Sequence, residues 1–215
     1  LWANATFSTH TYAPGLALDL YHPTGAESSP LMLYIHSGGM QKGTRGSVPC
    51  GLAACPEGQH EVLSAQVLLQ AGVAVASMTY RLCTAPTDTT WPGQLEDARN
   101  AVAWLRTHAG TLGVRPHAIG CYGISAGAGI CASLVVAQHV RYLPTAPAGS
   151  AVQLGVSVSG WADFFVQERA RGYRPEPFGC GNSVPVCAAG GFEFSRQWRA
   201  NASLHGGISN FGMRA

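Results

Sequence analysis

Charge is what this sequence has least of. Lys, Arg, Asp and Glu together make up 11% of its 215 residues, and the formal net charge at pH 7 is only +2. The basic residues are scattered, so nothing points to a nucleic-acid surface or a polybasic membrane patch. Long apolar runs are missing too. No segment approaches the roughly 18–20 residues of a membrane span, and the longest, Ile130 to Ala137, reads as a buried helix. There is no C-x-x-C pair and no set of histidines at ligand spacing, which argues against zinc. Gly123, Gly127 and Gly129 do not space as G-x-G-x-x-G and no P-loop lysine follows, which argues against a nucleotide loop. No metal or organic cofactor is expected.

Apolar residues are plentiful, at 47%, enough to build the core of a single domain over residues 1–215. No internal repeat or linker divides the chain. It begins at Leu1 rather than Met, which a removed signal peptide would explain. Asn4-Ala5-Thr6 and Asn201-Ala202-Ser203 are N-glycosylation sequons. Of the seven cysteines, Cys50 and Cys55 bracket one Pro/Gly-rich loop and Cys180 and Cys187 another, and each pair reads as a local disulfide. Cys121 and Cys131 read as small buried thiols, and Cys83 is left over. Low charge, sequons and cysteines together point to a secreted or secretory-lumen protein.

Along the chain, short apolar strands alternate with helices. Residues 16–21 alternate as an early strand. Residues 31–35, 73–78, 119–122 and 154–159 are apolar runs that read as strands buried on both faces. Helices are expected over residues 61–70, 93–109, 126–139 and 192–202. The second of these opens after Pro92 and carries apolar residues at 95, 98, 102, 105 and 109. Strand–helix alternation of this kind gives a doubly wound, mostly parallel sheet. Residues 41–59 and 166–192 lack a period and read as irregular loop insertions.

The chemistry centres on Gly123-Ile124-Ser125-Ala126-Gly127. A strand precedes it and a helix follows, the context of a nucleophile elbow, in which a sharp turn projects the serine hydroxyl. The alternative is a Gly-rich turn whose serine merely caps a helix. Acyl transfer from a serine also needs donors for the oxyanion. The amide of Ala126, at the helix N-terminus, is one. The loop after the strand at 31–35, His36-Ser37-Gly38-Gly39, offers the amides of Gly38 and Gly39 as others.

With these residues in order, the chain resembles an α/β-hydrolase of the carboxylesterase/hormone-sensitive-lipase-like group. Residues 34–40, Tyr-Ile-His-Ser-Gly-Gly-Met, resemble that group's H-G-G-G-W oxyanion segment, and Thr79-Tyr80-Arg81-Leu82 resembles its N-Y-R-L. Residues 91–98, with Pro92 and Asp97, resemble the F-P-x-x-x-x-D-x that begins the next helix, and residues 119–127 resemble the I-x-x-x-G-x-S-A-G elbow. The resemblance runs from about Tyr12 to Leu204. It implies a small ester as substrate, hydrolysed through an acyl-serine intermediate on Ser125.

Departures from the family pattern accompany it. Ser37 replaces the first glycine of the triplet, and Ile124 stands where relatives often carry a polar residue. More seriously, the family order is Ser, then Asp or Glu, then His, and after Ser125 the only histidines are His139 and His205. His139 falls on the elbow helix about 21 Å from Ser125, too far to serve. His205 and Asp163, the only aspartate after Ser125, are the remaining triad candidates, but the simplest reading is that the family's acid and base are absent from this chain. Residues 206–215 lack the apolar strand that should follow, so the expectation is a sheet short of its C-terminal strands, with an exposed edge that a protein partner could cover. The rival reading is a non-catalytic recognition or scaffold module on the same fold.

Overall fold

A computed structural model of the chain describes residues 5–47, 65–84, 88, 92–136 and 147–160. Six strands form one sheet: β1 (Ala5–Ala13), β2 (Leu16–Pro23), β3 (Ser29–Ile35), β4 (Ala74–Met78), β5 (Val114–Ile124) and β6 (Leu154–Val158). Their spatial order is β1-β2-β4-β3-β5-β6. β1 and β2 are an antiparallel hairpin turning at Gly15, whose φ of 72° suits a residue without Cβ. β2 pairs antiparallel with β4, and β4, β3, β5 and β6 run parallel.

Residues of β3 alternate between two cores. Leu31, Leu33 and Ile35 meet α2 (Gly93–Thr107), through Leu95, Ala98, Val102 and Leu105, and α4 (Ala126–Val136), through Ile130 and Leu134. Met32 and Tyr34 point the other way, to Ala65 and Leu69 of α1 (Ala65–Gln70) and to Tyr122. Helices therefore cover both faces of a mostly parallel sheet, the doubly wound architecture read from the sequence. The continuous apolar runs of the central strands follow from burial on both sides.

Several boundaries differ from expectation. β1 was not anticipated, because it lies at the sheet edge, mostly exposed, and has no apolar run to betray it. The helix expected over 93–109 ends at Thr107; after His108 a separate short turn, α3 (Ala109–Leu112), is stopped by Gly113 in the left-handed conformation. β5 begins at Val114, before its apolar segment: Val114 pairs with Ser29, the register then shifts, and regular pairing with β3 resumes at Ile119. Residues 154–158 do form a strand, but not one buried on both faces. β6 is the last strand of the described sheet, and Leu154 is 56% exposed. Within the loop expected at 41–59, Arg45–Ser47 form a 3-10 turn. Residues 137–139, the loop at 166–192 and the helix expected at 192–202 lie outside the described residues.

Candidate functional site

Ser125 joins β5 to α4 and holds a φ of +52°, a left-handed backbone that a residue with a Cβ adopts only under constraint. The constraints are visible. Its amide donates to the Val158 carbonyl at the end of β6 (3.0 Å), and its carbonyl accepts from Gly129 (3.1 Å). The flanking glycines are required by space. A Cβ on Gly123 would overlap the Gly127 carbonyl and stand 2.8 Å from the Ala128 nitrogen. A Cβ on Gly127 would overlap the Ile35 carbonyl oxygen and stand 2.7 Å from that of His36. The first turn of α4 is thus jammed against the C-terminal end of β3. Ile35 and Gly123 are also register partners in adjacent strands, so the 36–39 loop starts beside the turn that carries Ser125.

That loop is shaped by glycine. Gly38, Gly39 and Met40 all have positive φ, at 108°, 65° and 62°. A Cβ on Gly38 would overlap the Lys42 carbonyl oxygen. The Gly38 carbonyl accepts from the amides of Gln41 (3.1 Å) and Lys42 (3.2 Å), which closes the turn. The amides of Gly38 and Gly39 donate to no oxygen among the described residues. The amide of Ala126, in the first turn of α4, has no intrahelical acceptor either. Ser37, in place of a third glycine, uses its carbonyl to accept from His36 Nδ1 (2.8 Å).

His36 is buried. Its ring stacks on Tyr80 with centroids 4.1 Å apart and planes 15° apart. The Tyr80 hydroxyl donates to the His36 carbonyl (2.9 Å). Since a carbonyl only accepts, Nδ1 carries the proton, and Nε2 has no partner among the described residues. Burial pulls the His36 pKa below the usual imidazole range, against a smaller opposing effect of the Ser37 carbonyl. Burial likewise pushes the Tyr80 hydroxyl above the usual phenol range. Gly43 must be glycine here as well, because a Cβ would overlap His36 Nδ1.

Two further anchors hold the loop, and neither was anticipated from the sequence. The Met40 carbonyl accepts from the Cys83 amide (2.8 Å). Arg45 Nε donates to Asp19 Oδ1 on β2 (2.9 Å), while its carbonyl accepts from the Ser77 hydroxyl of β4 (2.5 Å). The motif residues Arg81 and Asp97 also meet. The buried Asp97 carboxylate accepts from the Arg81 amide (2.9 Å) and from Arg81 Nε (2.9 Å), with Nη2 at 2.8 Å. The segment after β4 is thereby fixed to the start of α2, with Tyr80 held under His36.

The cysteines require a correction. Cys121 and Cys131 are not free thiols. They form a disulfide between β5 and α4, Cα atoms 5.8 Å apart. A residue on a strand and one ten positions later on a helix carry no local signal of proximity. Cys83 is not left over either; it is disulfide-bonded. Asp163 and His205, the Cys50–Cys55 and Cys180–Cys187 pairs and the sequons at Asn4 and Asn201 lie outside the described residues. Among the described residues no group of three His, Cys, Asp or Glu could hold a metal ion. No helix there is long and apolar enough to cross a membrane.

Comparison with known proteins agrees with this fold. The BD-FAE family model matches residues 18–171. A carboxylic ester hydrolase of Bombus ignitus is 30% identical over 173 residues, 74% of this chain. The carboxylic ester hydrolase LipN of Mycobacterium tuberculosis is 29% identical over 153 residues, 71% of this chain. The chain spans only 27% and 36% of the length of these two relatives. A solved structure, the truncated form of a carbohydrate esterase from gut microbiota, is 22% identical and superposes with a TM-score of 0.56. It covers 73% of this chain and 57% of that one, and it shows the same fold. The chain belongs to the BD-FAE family of α/β-hydrolases, a carboxylesterase-like group.

Proposed function

We propose that this chain carries the nucleophile and the oxyanion donors of a carboxylic ester hydrolase. The observation that carries the reading is the strained, glycine-flanked Ser125, wedged between β5 and α4 with the first turn of α4 against Ile35 and His36. In the proposed reaction the Ser125 hydroxyl oxygen attacks the ester carbonyl and its proton passes to a general base. The carbonyl oxygen gathers negative charge in the tetrahedral intermediate. The amides of Gly38, Gly39 and Ala126 stabilise that charge, at a helix N-terminus where the dipole adds to the effect. Collapse expels the alcohol, which takes a proton from the conjugate acid of the base, and leaves an acyl group on Ser125. Water then releases the acid by the same steps. His205 and Asp163 are the candidates in this sequence for base and acid.

A loop preset by Tyr80, Cys83 and the Arg45–Asp19 pair supports the reading, because oxyanion donors act best when they need no reorganisation. The disulfide-bonded cysteines support an oxidising compartment, secreted or secretory-lumenal. Titration with a fluorophosphonate tests the assignment. Covalent labelling that maps to Ser125 and vanishes in Ser125→Ala is expected. Labelling elsewhere, or none under conditions where other serine hydrolases react, would favour a recognition module on the same fold.

A further inference from the structure

Ser125 is enclosed by a covalent ring. β5 brings Cys121 to the face of the sheet that α4 covers, and Cys131 comes back to it from α4. The ring closed by their disulfide runs through Gly123, Ser125 and Gly127, so the whole passage from strand to helix lies inside it. Both cysteines are fully buried. A third element makes room for the sulfurs. A Cβ on Gly155 of β6 would stand 3.3 Å from Cys131 Sγ and 3.5 Å from Cys121 Sγ, and it would overlap Val135 Cγ2.

The need for such a ring follows from the backbone of Ser125. A serine at φ +52° relaxes unless its surroundings forbid it. Two hydrogen bonds and the close contact of Gly127 with Ile35 and His36 oppose that relaxation. The contact of Gly127 is lost if α4 slides or tilts away from the sheet, and the hydrogen bond to Val158 is strained with it; α4 is an apolar helix of small residues that meets the sheet by non-directional packing. The disulfide removes that freedom, because it sets the spacing of β5 and α4 directly at the turn.

We infer that Cys121–Cys131 is a positioning element for the nucleophile. It holds Ser125 and the Ala126 amide in register with the amides of the 36–39 loop, an inference that rests on the reading of Ser125 as nucleophile. Its loss lowers the rate of attack rather than the affinity for substrate, since neither cysteine reaches a surface that a ligand could touch.

The test compares the parent chain with Cys121→Ala/Cys131→Ala and with Cys121→Val/Cys131→Ala, which restores buried volume. Non-reducing peptide mapping of the parent should yield the linked Cys121 and Cys131 peptides; two free thiols would overturn the inference. Amide hydrogen exchange is followed at Ser125 and Gly129 and, as an internal reference, at Leu33 and Ala76 in the central strands. Exchange at the elbow should quicken by about tenfold more than at the reference amides. An equal change at both places in the double variants would mean that the disulfide only stabilises the fold, and would overturn the positioning role. Fluorophosphonate kinetics give the second readout. The inactivation rate constant should fall by roughly tenfold or more, with the saturation constant unmoved, and parental rates would overturn the inference. If the parent is not labelled at all, the nucleophile reading fails, and the exchange data alone decide whether the disulfide holds the elbow.

Discussion

Replacing Gly127 with alanine tests the geometry of the elbow most directly. The added Cβ would overlap the Ile35 carbonyl oxygen and stand 2.6 Å from its carbon and 2.7 Å from the His36 carbonyl oxygen. Ordinary contacts lie near 3.5 Å, so α4 would have to retreat from β3 by about 1.5 Å. The obstacles are backbone atoms at the end of a central strand, which cannot swing aside as a flexible side chain would. Overpacking of this kind costs about 1–3 kcal/mol, and the rigidity of the neighbours puts Gly127→Ala at the upper end. At roughly 2–4 °C per kcal/mol for a chain of this size, the melting temperature should drop by about 6–12 °C. The shift also carries Ser125 away from the Gly38 and Gly39 amides, and a misplacement of about 1 Å can cost some 10²-fold in reactivity. Gly110→Ala is the control: its Cβ would meet nothing within 4 Å, and its backbone is helical. That change should raise stability by about 0.5–1 kcal/mol. Thermal melts followed by circular dichroism, with fluorophosphonate labelling in parallel, measure both effects. A Gly127→Ala chain that melts with the parent and labels as fast would refute the packing of α4 on β3.

Three other outcomes are expected. The His36 pKa is depressed in the folded chain, so the unfolded state binds its proton first as pH falls below about 6.5. Stability is then lost downward from there at up to about 1.4 kcal/mol per pH unit until the folded ring also titrates. Urea titrations between pH 5 and 8 should show a shallower acid limb in His36→Asn, and identical slopes would count against the buried neutral ring. Asp97→Asn weakens the grip on the Arg81 amide and guanidinium and should cost roughly 2 kcal/mol; no change in urea midpoint would show the pair to be incidental. Ser125→Gly should be more stable than Ser125→Ala by about 1 kcal/mol, because only glycine relieves the left-handed backbone. The reverse order of midpoints would deny the strain.

Much of the fold could be read without coordinates, and the particular elements show why. Residues 31–35, 74–78 and 119–124 are apolar on both faces of a covered sheet, so each appears as an unbroken run. β1 escaped notice because an exposed edge strand asks little of its side chains, and the exposure of β6 escaped notice because burial depends on what lies beside a strand.

Within the candidate site, what the sequence determined by itself is local. Glycines at 38, 123 and 127, and a serine between a strand and a helix, are requirements that the backbone imposes on nearby residues, so they leave a short motif. The tertiary structure alone decided the rest. It brings Cys121 to Cys131, Arg45 to Asp19, Cys83 to Met40 and Arg81 to Asp97. Each of these pairs joins residues from different elements, and their approach is set by strand order and by which face a helix covers. No spacing along the chain records such a distance, because the sheet places side by side strands that lie far apart in sequence.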